Sequence, residues 1–210
     1  MSFKLKNNQI APRLGNYIIP DGMKTEVAVD LGSNLSLFEL RYNDLFNNIY
    51  YFEASHANFL KGTAAILSKG IKNCVGFNLA AGSVSGELVK IYSCSNQDCG
   101  SNSIIEWDQA NTDDYHHVMT ISMDDIFRLL NVERINYLKI DIEGAEYDVI
   151  KNFTNIDKVD VIGIEIHNLL GPQKMDEVRE KILQTHDMIA NIPAIPGVRN
   201  QEATFSLRRQ

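Results

Sequence analysis

The stretch INYLKIDIEGAEYDVI, residues 135–150, is a buried apolar run interrupted by Lys139, Asp141, Glu143 and Glu146. Side chains two residues apart share one face of a strand, so Lys139 and Asp141 point the same way. A second apolar run, VDVIGIEIH (159–167), carries Glu165 and His167 at the same spacing. Charges in such surroundings are costly unless partnered, which leaves a structural ion pair or a working site. With the two strands adjacent, Lys139 is predicted to meet Glu165 as a buried ion pair. Asp141 and His167 then emerge together at the carboxyl edge. These groups suit general base chemistry, His having the pKa nearer neutrality, or ligation of a divalent cation. Glu143, on the turn after Asp141, is a third candidate for either role.

A second group lies in VAVDLGSNLSLFEL (27–40), a buried strand followed by a turn and a helix expected from about Leu35. Gly32 permits a sharp bend, and Asn34 tolerates unusual backbone angles or caps the helix. A dinucleotide fingerprint needs G-x-G-x-x-G here, and only one glycine is present, so a pyrophosphate cradle and a nicotinamide dehydrogenase are disfavoured. Asp30 at the strand end suits a cationic ligand. Glu53 closes the next strand 53 − 30 = 23 positions later, near the spacing at which an acid grips a ribose diol. Ribose, no phosphate and an amino-acid cation together point to S-adenosylmethionine rather than NAD.

The elements that must hold these residues alternate. Strands are predicted at 26–32, 48–55, 72–82 and 86–94, with helices at 56–70 and 122–132, the latter capped by Ser122. The runs 135–141 and 159–167 are further strands, separated by a helix with Ala145, Val149, Ile150 and Phe153 at helical spacing. A helix over 174–186 and a closing strand at 203–209 complete the set. Such alternation implies an α/β fold with a mostly parallel sheet, whose ligands bind beyond the carboxyl strand ends. Residues 93–117 form a polar stretch without periodicity, read as a substrate lid or a plain surface excursion.

The 210 residues suit one domain. A net charge of −7 argues against a nucleic-acid partner. The absence of a long apolar run or a signal-peptide core points to a soluble, cytoplasmic protein away from membranes. Cys74, Cys94 and Cys99 are read as reduced thiols, a Cys94–Cys99 disulfide being the alternative. Glu146 and Asp148 are expected to be helix-surface charges, Asp124 and Asp125 first-turn acids, and His116-His117 a solvated loop. Trp107 is either a platform for a substrate ring or the anchor of its loop.

The segments VAVDLGSNLSLFEL, YFEASHANF, NLAAGSVSGE, TISMDDIF, NYLKIDIEGAEYDVIKNF and VIGIEIH occur in one order across residues 20–168. In this the chain resembles the FkbM-type S-adenosylmethionine-dependent methyltransferases. The resemblance implies a class I methyltransferase (Rossmann-like) three-layer sandwich, its seven-stranded, mostly parallel sheet ending in an antiparallel last strand. It implies O-methylation of a hydroxyl on a sugar or related small molecule. Carried over by position, Asp30, Gly32 and Asn34 line the methionine side, Glu53 with Ala54 holds the ribose, and Asn78 to Ala81, with Ala80 among them, lie near the adenine. Ser36 stands where a glycine is usual, narrowing the cofactor space or adding a donor. Ala54 and His56 replace prolines, so a less rigid adenine-side loop is expected. Asp141, His167 or Glu143 serves as base; the alternative, a divalent metal on Asp141 and His167, is not favoured. A non-catalytic cofactor-binding protein is the competing reading, and a homodimer stays open.

Overall fold

All six residues Ile135–Ile140 are buried, a demand met only in the middle of a sheet covered on both faces. The computed structural model describes residues 17–94, 103–104, 110–192 and 200–208. Numbered in chain order, its main sheet holds β1 (Val27–Leu31), β2 (Asn48–Phe52), β3 (Cys74–Phe77), β7 (Ile135–Ile140), β8 (Val159–His167), β9 (His186–Ile192) and β10 (Asn200–Leu207). Their order is β3-β2-β1-β7-β8-β10-β9. β10 runs antiparallel to both its neighbours, β8 and β9, and the other pairs in the sheet are parallel. This is the α/β class I methyltransferase sheet, and its order reverses between β1 and β7.

Side-chain alternation assigns the two faces. Val29, Leu31, Leu138, Ile140, Ile162 and Ile164 share a core with α3 (Met123–Leu130), α4 (Glu146–Asn152) and α5 (Pro172–Leu183). On the other face Ala28, Tyr137 and Val161 pack with Phe38 of α1 (Leu37–Tyr42) and with Phe46. Helix α2 (His56–Ser68) starts at Ser55, whose hydroxyl accepts from the Asn58 amide. Ser122 caps α3 in the same way, with Asp124 and Asp125 in the first turn. No helix among the described residues is long and apolar enough to cross a membrane.

A satellite sheet of three strands, β4 (Ala80–Ala81), β5 (Leu88–Cys94) and β6 (Ala110–Ile121), has the order β4-β6-β5. Here the expectation of a loop over 93–117 fails in its second half, because Ala110–Ile121 pairs antiparallel with β5. Its polar outer residues conceal the alternation, and the inward contributors are Val118 and Ile121. Trp107 and Cys99, the side chain of Cys94, and most of the expected lid lie outside the described residues. Cys74 is a free thiol.

The expected Lys139–Glu165 pair is also corrected. Lys139 stands level with Asp30 of β1 on one side and Gly163 of β8 on the other. Its ammonium therefore reaches Asp30 Oδ1 at 2.8 Å and donates to the Gly32 carbonyl at 3.1 Å. Glu165, two residues beyond Gly163, falls level with Asp141 instead. Both partners of the real pair are buried. Burial opposes the Lys139 charge, but Asp30 and then Asp141 outweigh it and raise its pKa. Glu39 of α1 lies close by, held well above the carboxylate range by burial and then by the Asp30 charge.

Replacing the ammonium by an apolar stem of similar length leaves Asp30 as an unanswered buried charge. Lys139→Met is expected to lose roughly 3–5 kcal/mol of stability in urea unfolding. A loss under about 1 kcal/mol, the scale of an exposed pair, contradicts the assignment.

Candidate functional site

At the reversal of strand order the turn after β1 and the turn after β7 meet. Gly32 has φ 80°, and a Cβ there would stand 1.7 Å from the Asp141 carbonyl oxygen. The Asp141 amide donates to the Leu31 carbonyl at 3.0 Å, continuing the strand pairing to the rim. Beyond these ends opens a cavity of about 580 Å³ including its mouth, within the usual size of a ligand site. Gly32, Asn34, Glu53, Asp141 and Glu143 supply its polar wall. Phe52, Leu79, Ala80, Ala81, Ile91 and Ile104 supply its apolar wall.

The turn's own amides are consumed inside the protein. Those of Gly32 and Ser33 both donate to the Phe52 carbonyl, at 2.9 and 3.2 Å. That of Asn34 donates to Glu53 Oε2 at 2.7 Å, and the Ser55 amide donates to Glu53 Oε1 at 2.7 Å. These three consecutive amides are therefore not free to receive a pyrophosphate. Asn34 adopts φ 51°, the unusual backbone expected of it, but the helix cap is Ser36. Glu53 is 6% exposed. Burial pushes its carboxyl up to about 7 against the opposing pull of the Ser55 and Asn34 amides.

Several expected residues have other positions. Asp30 faces Lys139 beneath the cavity rather than lining it. Asn78 is a brace: its amide donates to the Glu53 and Ala54 carbonyls at 2.7 and 3.2 Å, and its oxygen meets His56 Nδ1 at 3.0 Å. That last bond ties down the loop expected to be loose, as does His116 Nε2 at 3.2 Å from the Ala54 carbonyl. His116 and exposed His117 sit on β6 rather than in a loop. Ser36 does not narrow the cavity. Fully buried with φ 58°, it packs where a side chain on Gly62 of α2 would have to go.

The rim beyond Asp141 is built around His167. Its Nδ1 lies 2.9 Å from Glu146 Oε1, and its Nε2 lies 3.2 Å from Glu143 Oε2 and 3.7 Å from Glu165 Oε1. Burial disfavours the charged ring, but the Glu146 hydrogen bond, with Glu143 and Glu165, raises it to about 10. The ring of the ligand-free protein is thus held in its charged form. Glu146, expected on the helix surface, is 1% exposed. Its Oε1 also accepts from the Gly144 and Ile142 amides at 3.1 and 3.3 Å, fixing a turn in which Glu143 has φ 54° and Gly144 φ 110°. Asp148 is exposed, as expected. The sequence signal for Glu146 was its place two residues after Gly144, where an acid can satisfy the amides of a sharp turn. Asn58, whose amide donates to Asn34 Oδ1 at 3.0 Å, left no such signal.

A family model described as the methyltransferase FkbM domain matches residues 26–190. No curated protein matches the chain. Among solved structures, the methyltransferase FkbM from Methylobacillus flagellatus KT superposes with a TM-score of 0.59 at 15% identity, covering 86% of this chain and 43% of that one. An rRNA methylase from Streptococcus thermophilus gives 0.55 at 10% identity, covering 89% and 90%. Aeropyrum pernix fibrillarin, in complex with natively bound S-adenosyl-L-methionine, gives 0.52 at 10% identity, covering 87% and 67%.

The close approach of the two turns is testable. Gly32→Ala must push the Asp141 backbone away and hold a side chain at positive φ, a backbone strain alone worth about 1–3 kcal/mol. The variant is expected to melt several degrees lower, and an unchanged melting temperature contradicts the contact.

Proposed function

The chain belongs to the methyltransferase FkbM domain family, and from that premise we propose that it uses S-adenosylmethionine to methylate a hydroxyl of a sugar or other small molecule. The observation that carries the proposal is Glu53, a buried carboxylate on the cavity wall held by two backbone amides. The donor set fits the cofactor. Glu53 offers acceptor lone pairs to a diol, the apolar wall of Leu79, Ala80, Ile91 and Ile104 suits a flat base, and Asp141 suits a cationic ligand. The consumed amides of Gly32, Ser33 and Asn34 fit a ligand without phosphates.

When bound, the sulfonium supplies an activated methyl group for attack by an acceptor oxygen. The protein's part is alignment and proton removal. Asp141 and Glu143 both line the cavity, so an acceptor hydroxyl placed between them meets two carboxylates. Glu143 takes the proton as the new carbon–oxygen bond forms and the carbon–sulfur bond breaks. His167, held by Glu146, orients Glu143 from behind. The acidic rim and the net charge of −7 support a neutral small acceptor over a nucleic acid.

Calorimetry with S-adenosylhomocysteine tests the pocket. Glu53→Ala removes charge-assisted hydrogen bonds worth about 3 kcal/mol together, so affinity is expected to fall roughly 100-fold. Because only the ionised carboxylate accepts both hydroxyls and it protonates below about 7, affinity is expected to be about tenfold weaker at pH 6 than at pH 8. Unchanged affinity in the variant and across this pH range overturns the cofactor assignment. In methyl-transfer assays with saccharide alcohols, Glu143→Gln is expected to lower kcat by ~100-fold or more with the KM for S-adenosylmethionine unchanged. Full turnover in that variant removes Glu143 as the proton acceptor.

A further inference from the structure

The register that denies Glu165 to Lys139 delivers it to Asp141. Asp141, the first residue beyond β7, and Glu165 of β8 stand beside His167, and one ligand atom from each residue lies within 4.8 Å of the others. All three are partly buried, with side-chain exposures of 28% for Asp141, 15% for Glu165 and 9% for His167. Two carboxylate oxygens and one imidazole nitrogen, converging from β8 and from the turn after β7, are a facial donor set for a small divalent ion.

The surroundings of His167 are those of a metal-binding imidazole. Ligating histidines donate their outer N–H to a carboxylate, which fixes the tautomer and turns the other nitrogen towards the ion. Glu146 supplies that carboxylate to Nδ1 at 2.9 Å, while Nε2 faces Glu143 and Glu165; an ion bound there would take the place of the Nε2 proton and of its contact with Glu143. Glu146 is itself locked by the Gly144 and Ile142 amides, so the imidazole is oriented by a group that cannot easily move.

We propose that Asp141, Glu165 and His167 bind a divalent cation of the Mn2+ or Mg2+ kind on the acceptor side of the cavity, with Glu146 as the positioning residue for His167. The inference rests on the methyl-transfer reading for its role, not for its existence. Asp141 borders both the cavity and the cluster, so the ion would hold the acceptor oxygen next to the methyl donor. A neutral acceptor with two adjacent hydroxyls, a vicinal diol, would chelate it. The ion would acidify the attacking hydroxyl, the proton passing to Glu143 and the oxygen gaining the methyl that sulfur loses.

The test is Mn2+ binding to the full chain, read by electron paramagnetic resonance, with S-adenosylhomocysteine affinity measured in parallel. One Mn2+ site is expected in the wild type. Its affinity should fall at least tenfold in Glu165→Gln and roughly 10–100-fold in Glu146→Gln. It should be unchanged in Asp148→Asn, on the exposed side of α4. Retained S-adenosylhomocysteine affinity shows that each variant is folded. In the wild type, substoichiometric Mn2+ should broaden the His167 ring resonances before those of exposed His117, a readout that needs no variant. Absence of binding, binding equally weakened by Asp148→Asn, or broadening that spares His167 overturns the site. Loss of S-adenosylhomocysteine binding alone, with Mn2+ still bound at His167, overturns the proposed function and leaves the metal site standing.

Discussion

The contact between Lys139 and Asp30 governs everything above it. One ammonium, buried where sheet order reverses, joins the second-last residue of β1 to the second-last residue of β7 and also holds the Gly32 carbonyl. It pins two strand ends at the point where an open α/β sheet must part to admit a ligand. With the ends fixed, Gly32 can approach the Asp141 carbonyl as only a residue without Cβ can. The cavity floor is therefore protein backbone held by an ion pair, and the two turns leave it in opposite directions. One turn leads to Glu53 and the other to the acidic rim.

Each turn spends most of its amides inside the protein, and that shapes what the cavity can bind. The β1 turn gives its amides to Phe52 and Glu53, so it presents acceptors rather than donors. The β7 turn gives its amides to Glu146, which then faces His167. Both arrangements hold a carboxylate in a partly dry setting. Glu53, with its carboxyl pushed up to about 7 by burial, is a group whose native environment disfavours its charge.

Much of the fold is legible in the sequence because its apolar periodicities are strong. The alternation in 159–167 predicts a strand, and β8 spans Val159–His167; Ser122 marks the start of α3 as its side chain implies. The strand β6 is hidden because Asp114, Tyr115 and His117 are exposed and polar, so the apolar residues of the run do not alternate. The strand β9 begins at His186, inside a run whose helical pattern extends to that residue. Around the site, residue types and faces are readable but register is not. Lys139, Asp141, Glu165 and His167 do share one face of the sheet, yet a shift of two residues between β7 and β8 decides whether Lys139 meets Glu165 or Gly163. Glu146 is only half readable: its place after Gly144 marks it as a partner for the turn amides, while its burial depends on His167 arriving from another strand.

The central claim is that Glu53 clasps a ribose over the Gly32 turn while the carboxylates of the β7 turn face the methyl position. A crystal structure of the protein with S-adenosylhomocysteine tests it most directly. The expected result is both ribose hydroxyls within hydrogen-bond distance of Glu53, with the sulfur facing the gap between Asp141 and Glu143. A nucleoside bound elsewhere, or a Glu53 carboxylate still turned wholly to its backbone amides with no contact to the ligand, would contradict it.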